Sequence, residues 1–268
     1  MIFDSHAHYN DEKFNSPDIS RDELLNKLLG EGVTAIVNAS VNVEDSKDSL
    51  KLSEKFDGIY ACVGIHPGDV DKVGDIDSAI AEIRRLASHK KAVAIGEIGL
   101  DYYWEPFDKQ KQKLFFTKQL DLARELLMPV VIHDRDAHGD VDEIIRNYPD
   151  LKIVLHSYSG SAEWAKSLVN DGRYISFSGV VTFKNARRAL EALTAVPLDR
   201  ILIETDCPYL APTPLRGSVN NSANLIYTAA KIAEIKGVTT EKILEQTYIN
   251  ACRFYNINCD TVARKDFI

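Results

Sequence analysis

The chain is poor in cysteine and has no surplus of basic charge. Its four cysteines, Cys62, Cys207, Cys252 and Cys259, are scattered over 268 residues, and no two form a Cys-x-x-Cys pair. That argues against a disulfide scaffold and predicts reduced thiols in a cytoplasmic protein. Lys and Arg number 32 against 40 Asp and Glu, a formal net charge of −8. An acidic chain of this kind is not a general nucleic-acid coat. Bound cations can still reverse the charge locally at a phosphodiester site. No apolar stretch is long enough to span a bilayer, so no membrane partner is expected. The N-terminus has no basic region followed by an apolar run, which predicts no signal peptide. Low-complexity tracts, Gly/Ser-rich linkers and repeats at solenoid periods are also missing. Residues 1–268 therefore read as one domain. No Gly-x-Gly-x-x-Gly follows a strand, which weakens a dinucleotide-binding open sheet.

What is present is an alternation of strand and helix from end to end. Apolar, β-branched runs predict strands at 2–9, 35–39, 59–66, 92–100, 130–135, 153–157, 174–178 and 201–206. Most are too uniformly apolar to have one wet face, as expected of buried parallel strands. Amphipathic stretches at 21–30, 44–56, 76–88, 109–127, 141–147, 162–170, 186–193, 225–236 and 240–254 predict the helices between and after them. Eight such units in a chain of this length predict an α/β fold, a closed (β/α)8 TIM barrel.

The polar residues keep to one place in this pattern. His6 and His8 end the first predicted strand, His66 the third, Glu97 the fourth, His133 the fifth, His156 the sixth, and Glu204 with Asp206 the eighth. In a barrel these carboxyl ends form a single rim, where active sites sit. His6 and His8 are two residues apart, so both imidazoles share a strand face. Paired imidazoles suit a divalent transition metal; two histidines on a solvated face is the plainer alternative. Glu97, His133 and His156 lie in apolar strands and would be costly to bury without partners. Metal ions account for all three. The candidate set is His6, His8, Glu97, His133, His156 and Asp206. His66 precedes Pro67, and a turn alone also explains it. His89 and His138 lie in or near helices and read as solvated.

Six ordered segments, DSHAHY, GIHP, GEIGLDYY, IHDRDA, LHSYSGS and ETDCPYLAPTPLRG, resemble the motifs of the TatD-type metal-dependent deoxyribonucleases. The resemblance runs from Asp4 to about Gly217. It implies an amidohydrolase-like barrel with a two-metal centre that hydrolyses phosphodiesters. It further implies His6, His8, Glu97, His133, His156 and Asp206 as ligands, with Glu97 bridging. On that basis His6 and His8 would hold one ion, and His133 and His156 the other. Asp206 would bind the first ion and orient or deprotonate the water, which makes Glu97 and Asp206 the catalytic carboxylates. Glu204, two residues before Asp206 on one strand face, is expected as a further ligand or as the partner that fixes a histidine.

Two departures stand out. Ser157 and Tyr158 replace a Cys and a Phe common in that family. The run Ser218-Val219-Asn220-Asn221-Ser222 replaces a basic residue followed by Asn-Glu-Pro. Both are expected on the substrate rim. His66, Arg135 and Arg216 are candidate phosphate contacts. Tyr102, with Tyr103 and Trp104 beside it, is a candidate for stacking on bases. The ligand mix admits two divalent ions of Zn, Mg, Mn, Fe or Ni. DNA is the expected substrate, single-stranded or at 3′ ends, trimmed by an exonuclease. Nothing sets the oligomeric state, and a monomer is the simplest expectation. Two other readings remain: an amidohydrolase or esterase, such as a deacylase of aminoacyl-tRNA, and a non-catalytic metal or nucleic-acid binding protein. A modified lysine commonly bridges the metals of barrel amidohydrolases at the fourth strand; Glu97 stands there instead.

Overall fold

The computed structural model describes residues 1–15 and 20–258. Its eight strands are β1 (Ile2–Ala7), β2 (Val33–Ala39), β3 (Ile59–Val63), β4 (Ala92–Asp101), β5 (Val130–Arg135), β6 (Ile153–Leu155), β7 (Tyr174–Phe177) and β8 (Ile201–Ile203). They lie in sequence order in one sheet, and every adjacent pair from β1 to β8 is parallel. The helices are α1 (Arg21–Gly30), α2 (Val43–Lys55), α3 (Ile76–Ala87), α4 (Lys109–Leu126), α5 (His138–Ile145), α6 (Ala162–Asn170), α7 (Arg187–Ala195), α8 (Leu225–Lys236) and α9 (Thr240–Tyr255). This is the expected TIM barrel.

Side-chain hydrogen bonds and backbone contacts stitch β1 to the β8 segment. Ser5 Oγ donates to the Ile203 carbonyl at 2.8 Å, and Asp206 N–H donates to the His6 carbonyl at 3.0 Å. Asp4, fully buried, accepts from Thr205 N–H at 3.0 Å, Thr205 Oγ1 at 2.6 Å and Ser222 Oγ at 2.7 Å. Burial alone makes a carboxylate costly, and it pushes Asp4 up to about 6 against these lowering hydrogen bonds.

Strand parity divides the core. Val37, Cys62, Val131, Val154 and Leu202 form an inner cluster, joined by Tyr248, Phe254 and Tyr255 of α9. Val130, Ile132, Ile153, Leu155 and Ile203 pack outward with the helices. Polar caps set many helix starts: Asn42, Asp75, Asp108, Ser161 and Thr239 each accept a first-turn N–H. The exception that matters below is α7, whose cap position is Ala186. Cys62 and Cys207 are buried free thiols and Cys252 is buried; Cys259 lies outside the described residues. No described helix is long and apolar enough to cross a membrane.

Five strands stop earlier than their apolar runs suggest; β1 ends at Ala7 and β7 at Phe177. β6 ends at Leu155 and β8 at Ile203. Ser157 and Asp206 then adopt left-handed backbone, with φ of 40° and 55°. β3 ends at Val63, and His66 caps the turn Pro67–Lys72. His8, His66, His156, Glu204 and Asp206 thus sit just past the strands rather than on them. The period-two argument that aimed Glu204 and Asp206 at one point does not apply there.

Candidate metal centre

The rim gathers five imidazoles and two carboxylates around Glu97. That side chain is buried, and its two oxygens face different partners. Oε2 lies 3.3 Å from His6 Nε2 and 3.6 Å from His8 Nε2. Oε1 lies 2.6 Å from His133 Nδ1, 2.9 Å from His156 Nε2 and 3.5 Å from His66 Nε2. Asp206 Oδ1 lies 3.2 Å from His8 Nε2. Three overlapping groups can each hold a cation: His6, His8 and Glu97; His6, His156 and Asp206; and His66, Glu97 and His133.

β4 reaches this position through glycine. Gly99, with φ of 147°, runs so close to β5 that a Cβ there would meet the His133 carbonyl oxygen at 1.9 Å. Only glycine permits that approach.

The outer nitrogens of His8 and His133 are hydrogen-bonded from behind, and that of His156 faces a carboxylate. His8 Nδ1 lies 3.1 Å from the Ala39 carbonyl and donates to it, which turns Nε2 inward. His133 Nε2 lies 3.0 Å from Asp101 Oδ2, so Nδ1 faces Glu97. His156 Nδ1 lies 3.3 Å from Glu204 Oε1, which also accepts from Ser157 N–H at 2.6 Å. Glu204 therefore approaches His156 on the side opposite Glu97. Asp101 is not among the candidate residues drawn from the sequence, although it lies within the GEIGLDYY segment at even spacing from Glu97; that spacing was the available signal.

His66 differs from the others. Its Nδ1 accepts from Gly68 N–H at 3.0 Å. Burial, then the neighbouring His133, push it down to about 3. The ring is neutral with its proton on Nε2, so it presents an N–H rather than a lone pair to the site.

The electrostatics suit dications. Burial opposes charge on Glu97, but His156, His66 and His6 outweigh it and hold the carboxyl well below its usual range. Burial likewise opposes charge on His8, yet Asp206 and then Glu97 lift it to about 9. His156 is driven well above its ordinary value against its burial by Glu97 and Glu204. Without metal, protons on these rings balance the carboxylates. His6 Nδ1, His156 Nδ1 and Glu204 Oε2 are buried with no hydrogen-bond partner. Converging imidazole nitrogens and carboxylate oxygens are what divalent ions need.

Two clefts meet at the centre and share His133, His156, Asp206 and Tyr209. The first, about 560 Å³, adds Asp11, Glu12, Asp45 and His66. The second, about 740 Å³, adds Trp104, Arg135, Asn185 and Arg188. Arg135 lies over the Tyr103 ring at 3.9 Å, and Trp104 is 66% exposed. The other substrate candidates lie elsewhere. Tyr102 donates its hydroxyl to Asp140 at 2.7 Å and stacks on Phe107. Arg216 sits over Phe183 at 3.8 Å and lines neither cleft. Asn220 and Ser222 are fully buried, so that end of the altered run is a clasp on Asp4 and not a substrate rim. His138, expected to be solvated, is half-buried and pairs with Asp134 at 2.7 Å.

The chain matches the TatD related DNase family over residues 3–256. It belongs to the TatD family. It is 40% identical to the uncharacterized metal-dependent hydrolase YabD of Bacillus subtilis (strain 168), over 96% of this chain and 100% of that protein. It is 36% identical to the uncharacterized metal-dependent hydrolase YcfH of Escherichia coli (strain K12), over 96% and 97% of the two chains. The crystal structure of YJJV, a TatD homologue of Escherichia coli K12, superposes with a TM-score of 0.86 at 27% identity, covering 96% of this chain and 98% of that one. This TatD protein is a metal-dependent hydrolase on a TIM barrel, with His, Glu and Asp groups able to bind metal.

Proposed function

We propose that the protein hydrolyses phosphodiester bonds in DNA, acting as an exonuclease on single strands, with two divalent ions held at the rim. The observation that carries this reading is Glu97, whose two oxygens face separate histidine groups. A carboxylate so placed can hold two cations close together. His6 and His8 would serve one ion with Asp206, and His133 and His156 the other. Divalent ions there supply Lewis acidity, lowering the pKa of water and drawing charge from a phosphoryl oxygen.

The chain's own groups do the rest. Asp206 is a carboxylate at neutral pH: burial opposes that charge, but the His8 bond and charge hold its pKa down. It can therefore orient the attacking water and take its proton. His66 donates its Nε2 proton to a nonbridging phosphate oxygen. Asp101, Glu204 and the Ala39 carbonyl fix which ring nitrogen each histidine turns inward. Trp104 offers a face for a base.

The test is a screen of metal-reconstituted protein over single- and double-stranded DNA, RNA, and carboxylic esters including aminoacyl-tRNA. Metal-dependent release of nucleotides from end-labelled single strands is expected. Turnover of carboxylic esters with no phosphodiester cleavage would replace this reading with the esterase one.

A further inference from the structure

The two clefts differ in charge. The first is walled by Asp11, Glu12 and Asp45. The second carries Arg135 and Arg188. Elsewhere on the surface, Arg84, Arg85, Arg124, Arg146 and Arg187 each hold a carboxylate. Among the described residues, Arg135 and Arg188 hold none; Arg173, Arg200, Arg216 and Arg253 hold none either, but they line neither cleft. Arg135 is spread on Tyr103 and Trp104. Arg188 stands in the first turn of α7 and lines the same cleft as Tyr158. The one carboxylate lining this cleft beside the metal cluster is Asp134, and His138 already pairs with it. The start of α7 adds to the positive field, since Ala186 gives its first N–H groups no side-chain cap.

We propose that Arg188, together with Arg135, grips the phosphate next to the scissile one and so selects polymeric over small phosphodiesters. This rests on the phosphodiesterase reading above. Guanidinium groups suit a phosphate because their fork matches its oxygens. The acidic cleft repels a phosphate, so the strand leaves through the arginine side, and the acidic side takes a terminal nucleoside carrying none. Arg188 thereby sets which substrates bind, without touching the reacting atoms.

The test has two arms. The first uses the full chain stripped of metal, so that nothing is cleaved, and fluorescein-labelled tetrathymidylate followed by anisotropy over a salt series. Each phosphate contact on a single strand contributes about −0.7 to the slope of log affinity against log salt, so two give about −1.4. Arg188→Ala should bring the slope to about −0.7, and Arg188→Lys should restore most of it. An unchanged slope in Arg188→Ala, or no binding by the parent chain, overturns the proposal. The second arm measures kcat/KM of the metal-loaded enzyme on tetrathymidylate and on bis(4-nitrophenyl) phosphate. The ratio of the two should fall by about tenfold or more in Arg188→Ala, the effect of one lost interaction of ordinary strength. An unchanged ratio contradicts the proposal. A parent enzyme that hydrolyses neither compound refutes the phosphodiesterase reading, while the binding arm still decides the role of Arg188.

Discussion

Asp101 Oδ2 lies 3.0 Å from Nε2 of His133, and this contact turns Nδ1 of the same ring toward Glu97. Both carboxylates come from β4, on opposite sides of one imidazole from β5. Asp101→Ala should keep the barrel, because the change is at the rim. It should weaken metal affinity by about 10–100-fold, the usual cost of losing a group that orients a ligand. Metal titration followed by equilibrium dialysis measures it. Unaltered affinity would mean that His133 is held by packing alone.

His66 makes the opposite prediction. Its Nε2 carries a proton, so it should not be needed to hold an ion. His66→Ala should retain the full metal content and lose about 10²-fold or more in kcat, the scale for one donor to a developing charge. Mass-spectrometric metal content beside single-turnover cleavage separates the two roles. Loss of a metal equivalent would make His66 a ligand.

Metal uptake should depend on pH in a stated direction. His8 in the metal-free protein titrates at about 9, against about 6.5 for an unperturbed histidine. A raised histidine stabilises the folded, metal-free chain fully below about pH 6.5, and this is lost as pH rises through about 9. Ions must displace that proton, so affinity should climb between about pH 6.5 and 9, with proton release on binding. Calorimetric titrations in two buffers of different ionisation enthalpy report the protons released. An affinity independent of pH over that range would contradict the charge balance described here.

Ser222 predicts a stability effect without a site effect. It donates to buried Asp4 at 2.7 Å and meets the Tyr9 hydroxyl at 2.7 Å. Ser222→Ala leaves both with fewer partners, at a cost of about 1–3 kcal/mol. Urea unfolding should show the loss while metal stoichiometry stays the same. A variant as stable as the parent would show that the clasp contributes nothing to closing β1 against β8.

The barrel was legible in the sequence because buried parallel strands are apolar on both faces and their ends alone carry polar groups. His6, His8, Glu97, His133, His156 and Asp206 were legible for the same reason. What was hidden lies where alternation stops. Left-handed backbone at Ser157 and Asp206 ends the period-two pattern, so spacing left Glu204 as either a ligand or the partner of a histidine and did not say that the ring was His156. Ser222 belongs to a run of small polar residues that resembles any surface loop; its burial follows from Asp4, distant in sequence. Arg188 is one arginine among many on helices, and only its place on the cleft beside the metal centre sets it apart.

Glu97 is the point on which the account turns. Without it the proposed ligand set has one carboxylate, Asp206, and two dications would repel strongly where water is scarce. Glu97→Gln changes shape and volume little, so the fold should survive. The decisive measurement is the metal content of this variant by mass spectrometry, read beside single-turnover cleavage of end-labelled single-stranded DNA. The account predicts the loss of at least one metal equivalent and a fall in rate of about 10² or more. Two full equivalents with near-normal cleavage would contradict both the bridging role of Glu97 and the two-metal chemistry built on it.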